Sequence, residues 1–187
     1  MIQEGPPLSI NVTKPGVFYQ DVVYFKAENS GIWKCDFRNL NPQLYFNNTT
    51  ADNLTLINKR AFFTATIAAA PNGSIFEIIN DVVFRPIDLA AGEVFQKFFE
   101  IKGFCFVLTK TGTTYTFYRI DGLPVVKIGT AQNVDVSAGF GLINRNTLVF
   151  SANNGTSGQE LYKLPFSVSI ICCCDCNTQR IAISNIA

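Results

Sequence analysis

The chain has 187 residues, of which 48% are hydrophobic and 16% are charged, and its formal net charge is +1. Typical soluble domains carry about 25% charged residues, so this chain is poor in charge. Its basic residues are scattered and form none of the stripes that bind a phosphate backbone, which excludes nucleic acid as an expected partner. The absence of histidine removes Ser-His-Asp and Cys-His catalysis and histidine-bearing zinc sites.

The beginning of the chain and its apolar runs bear on where the protein is found. Residues 1–12, MIQEGPPLSINV, lack the basic start and the apolar stretch of a signal peptide. No apolar run reaches the roughly 20 residues of a membrane-spanning helix. We therefore expect no membrane span, and we expect a chain made in the cytoplasm without a signal peptide.

Four strand–turn–strand units follow one another along the chain, at residues 22–37, 61–79, 104–121 and 147–164. Each opens with an apolar run, passes a polar turn, meets a glycine and resumes with an amphipathic strand. The glycines stand 42, 39 and 46 residues apart, at Gly31, Gly73, Gly112 and Gly158. Glycine suits these turns because it reaches positive φ without a Cβ clash.

Further strands flank these units. GVFYQ, LTLIN, FFEIK and GFGLIN precede the four units, while QLYF, VVF, PVVKI and FSVSII follow them. This predicts about four strands per repeat, with repeats at 16–47, 54–84, 95–128 and 137–172 and a closing segment at 173–187. A period of about 40–50 residues with four strands is typical of propeller blades. We expect a single all-β domain, 1–187, of small β-propeller-like architecture, with a β-sandwich as the alternative.

The fourth unit carries a family likeness. In LVFSANNGTSGQELYKL an apolar strand, a turn and a G-x-E-L-Y run follow one another, through Phe150, Ser151, Ala152, Gly155, Gly158, Glu160, Leu161 and Tyr162. This stretch of about 17 residues resembles the propeller-like repeats of hyalin-type and related bacterial surface proteins, and YFKAENSGIWK in the first unit keeps a fainter version. The resemblance implies a propeller-like scaffold that binds proteins or glycans, and it identifies no active-site residue.

Carboxylates remain as candidates for catalysis. Asp88 and Asp121 follow strand-like segments in PIDLAAG and RIDG, and a pair of carboxylates facing across a cleft could hydrolyse a glycoside. An Asp-Gly step after a strand is more simply a turn. We therefore expect no catalytic residue and no cofactor.

The run CCCDC, residues 172–176, is the unusual chemical feature of the chain. In an extended strand Cys172, Cys174 and Cys176 would share one face and could hold a soft metal, with Asp175, Cys35 or Cys105 completing the site if the fold brought them close. Burial as small hydrophobic side chains and disulfides between subunits are the alternatives, and burial is favoured. We expect no metal.

The remaining pattern concerns aromatic residues, which make up 13% of the chain. Interface cores lose charge and gain aromatics, so the composition suits a covered surface. Alternating aromatics in FFEIKGFCFVL and TTYTFYRI could line a sugar-binding surface, but their place within strands favours a core. We expect a non-enzymatic structural or docking module of a larger assembly, such as a virion or phage particle, with protein subunits, including itself, as partners. A carbohydrate- or protein-recognition propeller is the alternative, so a glycan ligand stays open.

Overall fold

The computed structural model describes residues 12, 14–36, 38, 41–121, 124–153, 155–156 and 158–166. Within these ranges the chain forms fifteen β-strands and no helix. In the same residues, therefore, no helix has the length and apolar character that crossing a membrane requires. The strands form four small antiparallel sheets. The prediction of an all-β chain built from four small units is confirmed.

The first two sheets have four strands each, and each strand pairs with its neighbour in sequence. The first sheet consists of β1 Val17–Tyr19, β2 Val22–Ala27, β3 Gly31–Asp36 and β4 Gln43–Phe46. The second sheet consists of β5 Asp52–Ile57, β6 Arg60–Ile67, β7 Ala70–Ile79 and β8 Val82–Asp88.

The third sheet repeats this order, and the fourth has three strands in the described residues. The third sheet consists of β9 Val94–Ile101, β10 Phe104–Thr111, β11 Thr114–Arg119 and β12 Val126–Gln132. The fourth sheet consists of β13 Gly141–Ile143, β14 Thr147–Asn153 and β15 Gln159–Pro165. The sequence predicts a fourth strand for this sheet over FSVSII, residues 166–171. Of these residues the structure describes only Phe166, and the others, like the predicted closing segment 173–187, lie outside the described residues.

Tight hairpins join the first two strands of the first three sheets. Their two central residues all have positive φ, which a type I′ turn requires and which matches the twist of the flanking strands. These pairs are Gln20 and Asp21, Asn58 and Lys59, and Lys102 and Gly103. Such turns hold each hairpin in one register, so the alternate side chains of its strands keep fixed faces.

Glycine is required where β3 begins. Gly31 has a φ of 106°, and a Cβ at this position would lie 2.1 Å from the carbonyl oxygen of Phe46. No side chain fits there, so the end of β4 can approach the turn between β2 and β3. The glycine that marks the first repeat in the sequence is thus also a point of close backbone contact.

Three buried clusters join the sheets in chain order. The first lies between the first and second sheets, where Tyr24 and Ile32 meet Phe63 and Phe76. The second joins the second and third sheets, and the third joins the third and fourth. The central strands serve two clusters because successive side chains point to opposite faces. The aromatic runs singled out in the sequence supply these cores, including Phe98, Phe99, Phe106, Tyr115, Phe117 and Tyr118.

Candidate docking surfaces

A polar cleft of about 190 Å³ lies between the first and second sheets. Across it the ammonium group of Lys34 pairs with the carboxylate of Asp81, whose other oxygen accepts a hydrogen bond of 3.0 Å from the hydroxyl of Tyr24. Burial, together with this hydrogen bond, raises the pKa of Tyr24 above its ordinary value, so the hydroxyl stays a donor. Asp81 therefore ties two strands of the first sheet to the second sheet.

A second cleft, of about 180 Å³, is lined by residues of the second and third sheets around Glu93. One oxygen of this buried carboxylate accepts hydrogen bonds from the hydroxyls of Thr109 and Tyr118. Burial and the charge of Glu93 raise the pKa of Tyr118 to about 12. Pockets for organic ligands usually measure about 300–1,000 Å³. Both clefts are smaller, and their polar groups bind one another.

The carboxylates that the sequence offered as a catalytic pair each bind a residue of their own sheet. The hydroxyl of Ser74 donates to Asp88 at 2.7 Å. The guanidinium of Arg119 donates two hydrogen bonds to Asp121, at 2.5 and 2.8 Å. Each carboxylate is thus hydrogen-bonded to a strand residue of its own sheet.

The cysteines fall into two groups. Cys172, Cys174 and Cys176 lie outside the described residues, so the possible metal site there stays a prediction. Cys35 is partly exposed on the first sheet, and Cys105 is buried in the core between the second and third sheets. Among the residues that the structure covers, no group of three or more Cys, Asp or Glu side chains could hold a metal ion.

The thiol of Cys105 is expected to resist alkylation in the folded protein. It is fully buried, its Sγ donates a 3.7 Å hydrogen bond to the carbonyl of Ile57, and burial raises its pKa to about 12. The reactive thiolate is therefore scarce at pH 8. Iodoacetamide labelling followed by peptide mass spectrometry should show Cys35 reacting at least ~10-fold faster than Cys105. Equal rates in native buffer would contradict the packing of β10, and equal rates in denaturant provide the control.

The second and fourth sheets present an equivalent face to the sheet before them. Phe63 of the second sheet lies opposite Phe76 in the strand ladder, with ring centroids 5.0 Å apart. Phe150 of the fourth sheet lies opposite Tyr162 in the same way, at 6.1 Å. Both pairs are stacked and pack in the core shared with the preceding sheet. An aromatic pair between the second and third strands therefore lies on the receiving face of these two sheets, while the third sheet has Val107 opposite Tyr118 at this place.

The first sheet carries the same feature, although no described sheet precedes it. Phe25 lies opposite Trp33, and Ala27 lies two residues on, as Ala65 follows Phe63. We name as the first outer face the side chains that the strand register places on this side, Phe18, Val23, Phe25, Ala27, Trp33, Cys35 and Leu44. None of them is charged, and none belongs to the three buried clusters.

The fourth sheet ends the series with a face of the opposite kind. We name as the last outer face the side chains that register places away from the third sheet, Ile143, Thr147, Val149, Ser151, Asn153, Gln159, Leu161, Lys163 and Pro165. Leu161 is 79% exposed and Ile143 is 44% exposed. These side chains occupy the side on which each earlier sheet meets its successor.

A charged residue recurs at one register position of this successor-facing side. In each sheet this charged residue lies on the third strand, opposite a residue of the second strand that also faces the successor. The four charged residues are Lys34, Glu77, Arg119 and Lys163. The first three pair with Asp81, Arg60 and Asp121 respectively. Lys163 forms no ion pair with any residue that the structure describes. Lys163 on the last outer face is thus the member of the series that has no counter-ion among the described residues.

These two faces were not predicted as sites from the sequence. Their residues look like ordinary strand residues, and only the register shows which of them share a face. The one available signal was the repeat itself, since Phe25, Phe63 and Phe150 stand at matching positions of aligned units.

Comparison of the chain with protein-family models, with curated proteins and with solved structures finds no match.

Proposed function

We propose that this chain is a non-enzymatic structural or docking module of a larger protein assembly, such as a virion or phage particle. The observation that carries the proposal is the pair of outer faces, which have exposed apolar side chains at both ends of the described series of sheets. In this proposal the chain is made in the cytoplasm and works in the assembled particle, with protein subunits as its partners.

The exposure of large apolar side chains supports a docking role. Leu44 and Phe18 on the first outer face are 42% and 52% exposed, and Leu161 on the last is 79% exposed. Burying apolar area contributes about 25 cal/mol per Å², so a partner that covers these faces gains free energy. Contiguous apolar patches on a protein surface commonly mark interaction sites. The absence of charge from the first outer face matches the composition of interface cores.

The sheets themselves are proposed to be consecutive blades of a propeller-like scaffold, as the likeness of the fourth unit to hyalin-type repeats implies. Two observations support this arrangement. Each sheet packs on the next one in chain order, and the first strands of the first three sheets lie side by side, β1 against β5 and β5 against β9. First strands gathered along one line are the expected arrangement of blades around an axis.

Neither of the two clefts described above supports the carbohydrate-recognition alternative. At about 180 and 190 Å³ they offer little room for a sugar ring, and the charged groups of Lys34 and Asp81 already bind each other. Protein recognition would use the same outer faces as a structural role, so it is covered by the same experiment.

Photocrosslinking in the cells that make the protein tests the proposal. A benzophenone amino acid replaces Leu44 or Leu161, and a control replaces Val82, which is 54% exposed on the second sheet. We expect both outer-face probes to give adducts heavier than one chain after irradiation, while the Val82 probe gives few. Absence of adducts from both outer faces, or equal yields from Val82, would overturn the docking role.

A further inference from the structure

The geometry points to one specific partner for the first outer face, and this inference rests on the proposed function. We propose that a second copy of this chain seats its last outer face on the first outer face of its neighbour. The fourth sheet of one copy would then precede the first sheet of the next, in the relation that consecutive sheets have within the chain.

The first half of the argument is that the first outer face is built as a receiving face. The second and fourth sheets each receive a preceding sheet on an aromatic pair, Phe63 with Phe76 and Phe150 with Tyr162, and the third sheet receives one on Val107 with Tyr118. The first sheet repeats this register with Phe25 and Trp33. Phe25 is itself only 8% exposed, so a partner would cover the more exposed Leu44 beside this pair. A solvent-facing sheet side would instead show polar residues at alternate positions. What fits this face is therefore the successor-facing side of another sheet.

The second half is that the same chain ends in such a side. Leu161 and Val149 on the fourth sheet face away from the third sheet. Lys163 takes the register position of Lys34, which pairs with Asp81 across the interface of the first two sheets. A neighbouring copy thus presents a successor-facing side on which Val149 and Leu161 are apolar and Lys163 takes the place of Lys34.

The contact is head-to-tail because its two sides are different surfaces of one chain. Such heterologous contacts close into rings when the rotation between copies permits it, and otherwise they extend into filaments. Either product follows from a single kind of interface. The expected association therefore uses one first outer face and one last outer face for every contact.

A mixing experiment tests this with the full chain. Leu44→Glu spoils the first outer face and Leu161→Glu spoils the last, and both leucines are exposed enough for the fold to tolerate the change. Burying an unpaired carboxylate should weaken each contact at least ~10-fold. In sedimentation velocity the unmodified chain should show dimers and larger species, and each variant alone should be a monomer. An equimolar mixture should form a heterodimer and nothing larger, because it retains one intact contact.

A control and the opposing outcomes complete the design. Leu56→Glu, at a leucine that is 40% exposed on the second sheet, should associate like the unmodified chain. A single-face variant that still self-associates would show a contact between like faces and overturn the inference. A monomeric unmodified chain at all concentrations would do the same, and would mean that the chain's own residues 1–11 or 167–187, or another protein, cover the faces. Crosslinks from Leu44 to a different protein would then leave the docking role standing.

Discussion

Replacing Phe63 with alanine is expected to lower the free energy of unfolding by about 3–5 kcal/mol. Phe63 is fully buried between the first and second sheets, and its ring lies 5.0 Å from the rings of both Phe46 and Phe76. Alanine would remove these aromatic contacts and leave a cavity that the surrounding strands cannot fill, because their register is fixed on both sides. Urea denaturation followed by circular dichroism measures the loss.

A second phenylalanine, on the protein surface, serves as the control that separates lost core packing from a general effect of replacing phenylalanine with alanine. Phe84 lies on β8 and is 39% exposed. Phe84→Ala should therefore cost about 1 kcal/mol or less, since less area leaves the protein interior. If the two variants lost equal stability, the first buried cluster would not hold the first two sheets together as we describe.

The second large effect concerns the buried ion pair within the second sheet. The guanidinium of Arg60 donates two hydrogen bonds, of 2.5 and 2.7 Å, to the carboxylate of Glu77, whose side chain is 2% exposed. Arg60→Leu leaves this carboxylate buried without its partner. Removal of one partner from a buried pair typically costs about 3–5 kcal/mol, and we expect a loss of that size at pH 7 in urea denaturation.

The pH dependence of this loss has a definite sign. Burial already raises the pKa of Glu77 against the opposing effect of Arg60, and without Arg60 that pKa should rise further. Between the unfolded and the folded pKa the native state binds more protons than the unfolded state, so stability falls as pH rises. The Arg60→Leu variant should therefore recover part of its stability, relative to the unmodified chain, as pH falls from 7 towards 5.

A double variant isolates the charge. Arg60→Leu combined with Glu77→Leu removes both members of the pair, and a buried pair replaced by apolar residues is often close to neutral. The double variant should regain most of the stability that Arg60→Leu loses. A double variant as unstable as the single one would show that Arg60 acts through its packing on Phe62, whose ring centroid lies 5.4 Å from the guanidinium carbon.

The sequence contained enough to predict the strands but too little to predict the faces. Polar turns such as Asn58 and Lys59 and short apolar runs mark the hairpins directly, because local backbone conformation decides them. Runs such as AFFTAT are apolar at successive positions because β6 is buried on both sides. For the same reason they hide which side chain faces which sheet, so Phe62 and Phe63 look alike although they serve different cores.

The sequence predicted the fold better than it predicted the two outer faces. The sequence alone does not show what interior charges such as Glu77 and Arg119 pair with. Register shows instead that they hold one recurring position and are paired within their sheets. The outer faces could not be found without knowing the order in which the sheets pack. Phe25 and Phe63 take the same register position, but Phe25 belongs to the first sheet of the series and Phe63 to a sheet inside it.

The pairing of every strand with its sequence neighbours has an evolutionary consequence. Because each sheet is formed by one continuous stretch of chain, a gene duplication or deletion of one such stretch adds or removes a whole sheet. The new terminal sheet would then expose the side that had packed against its lost neighbour. The number of units can therefore change without breaking any strand pairing within the sheets that remain.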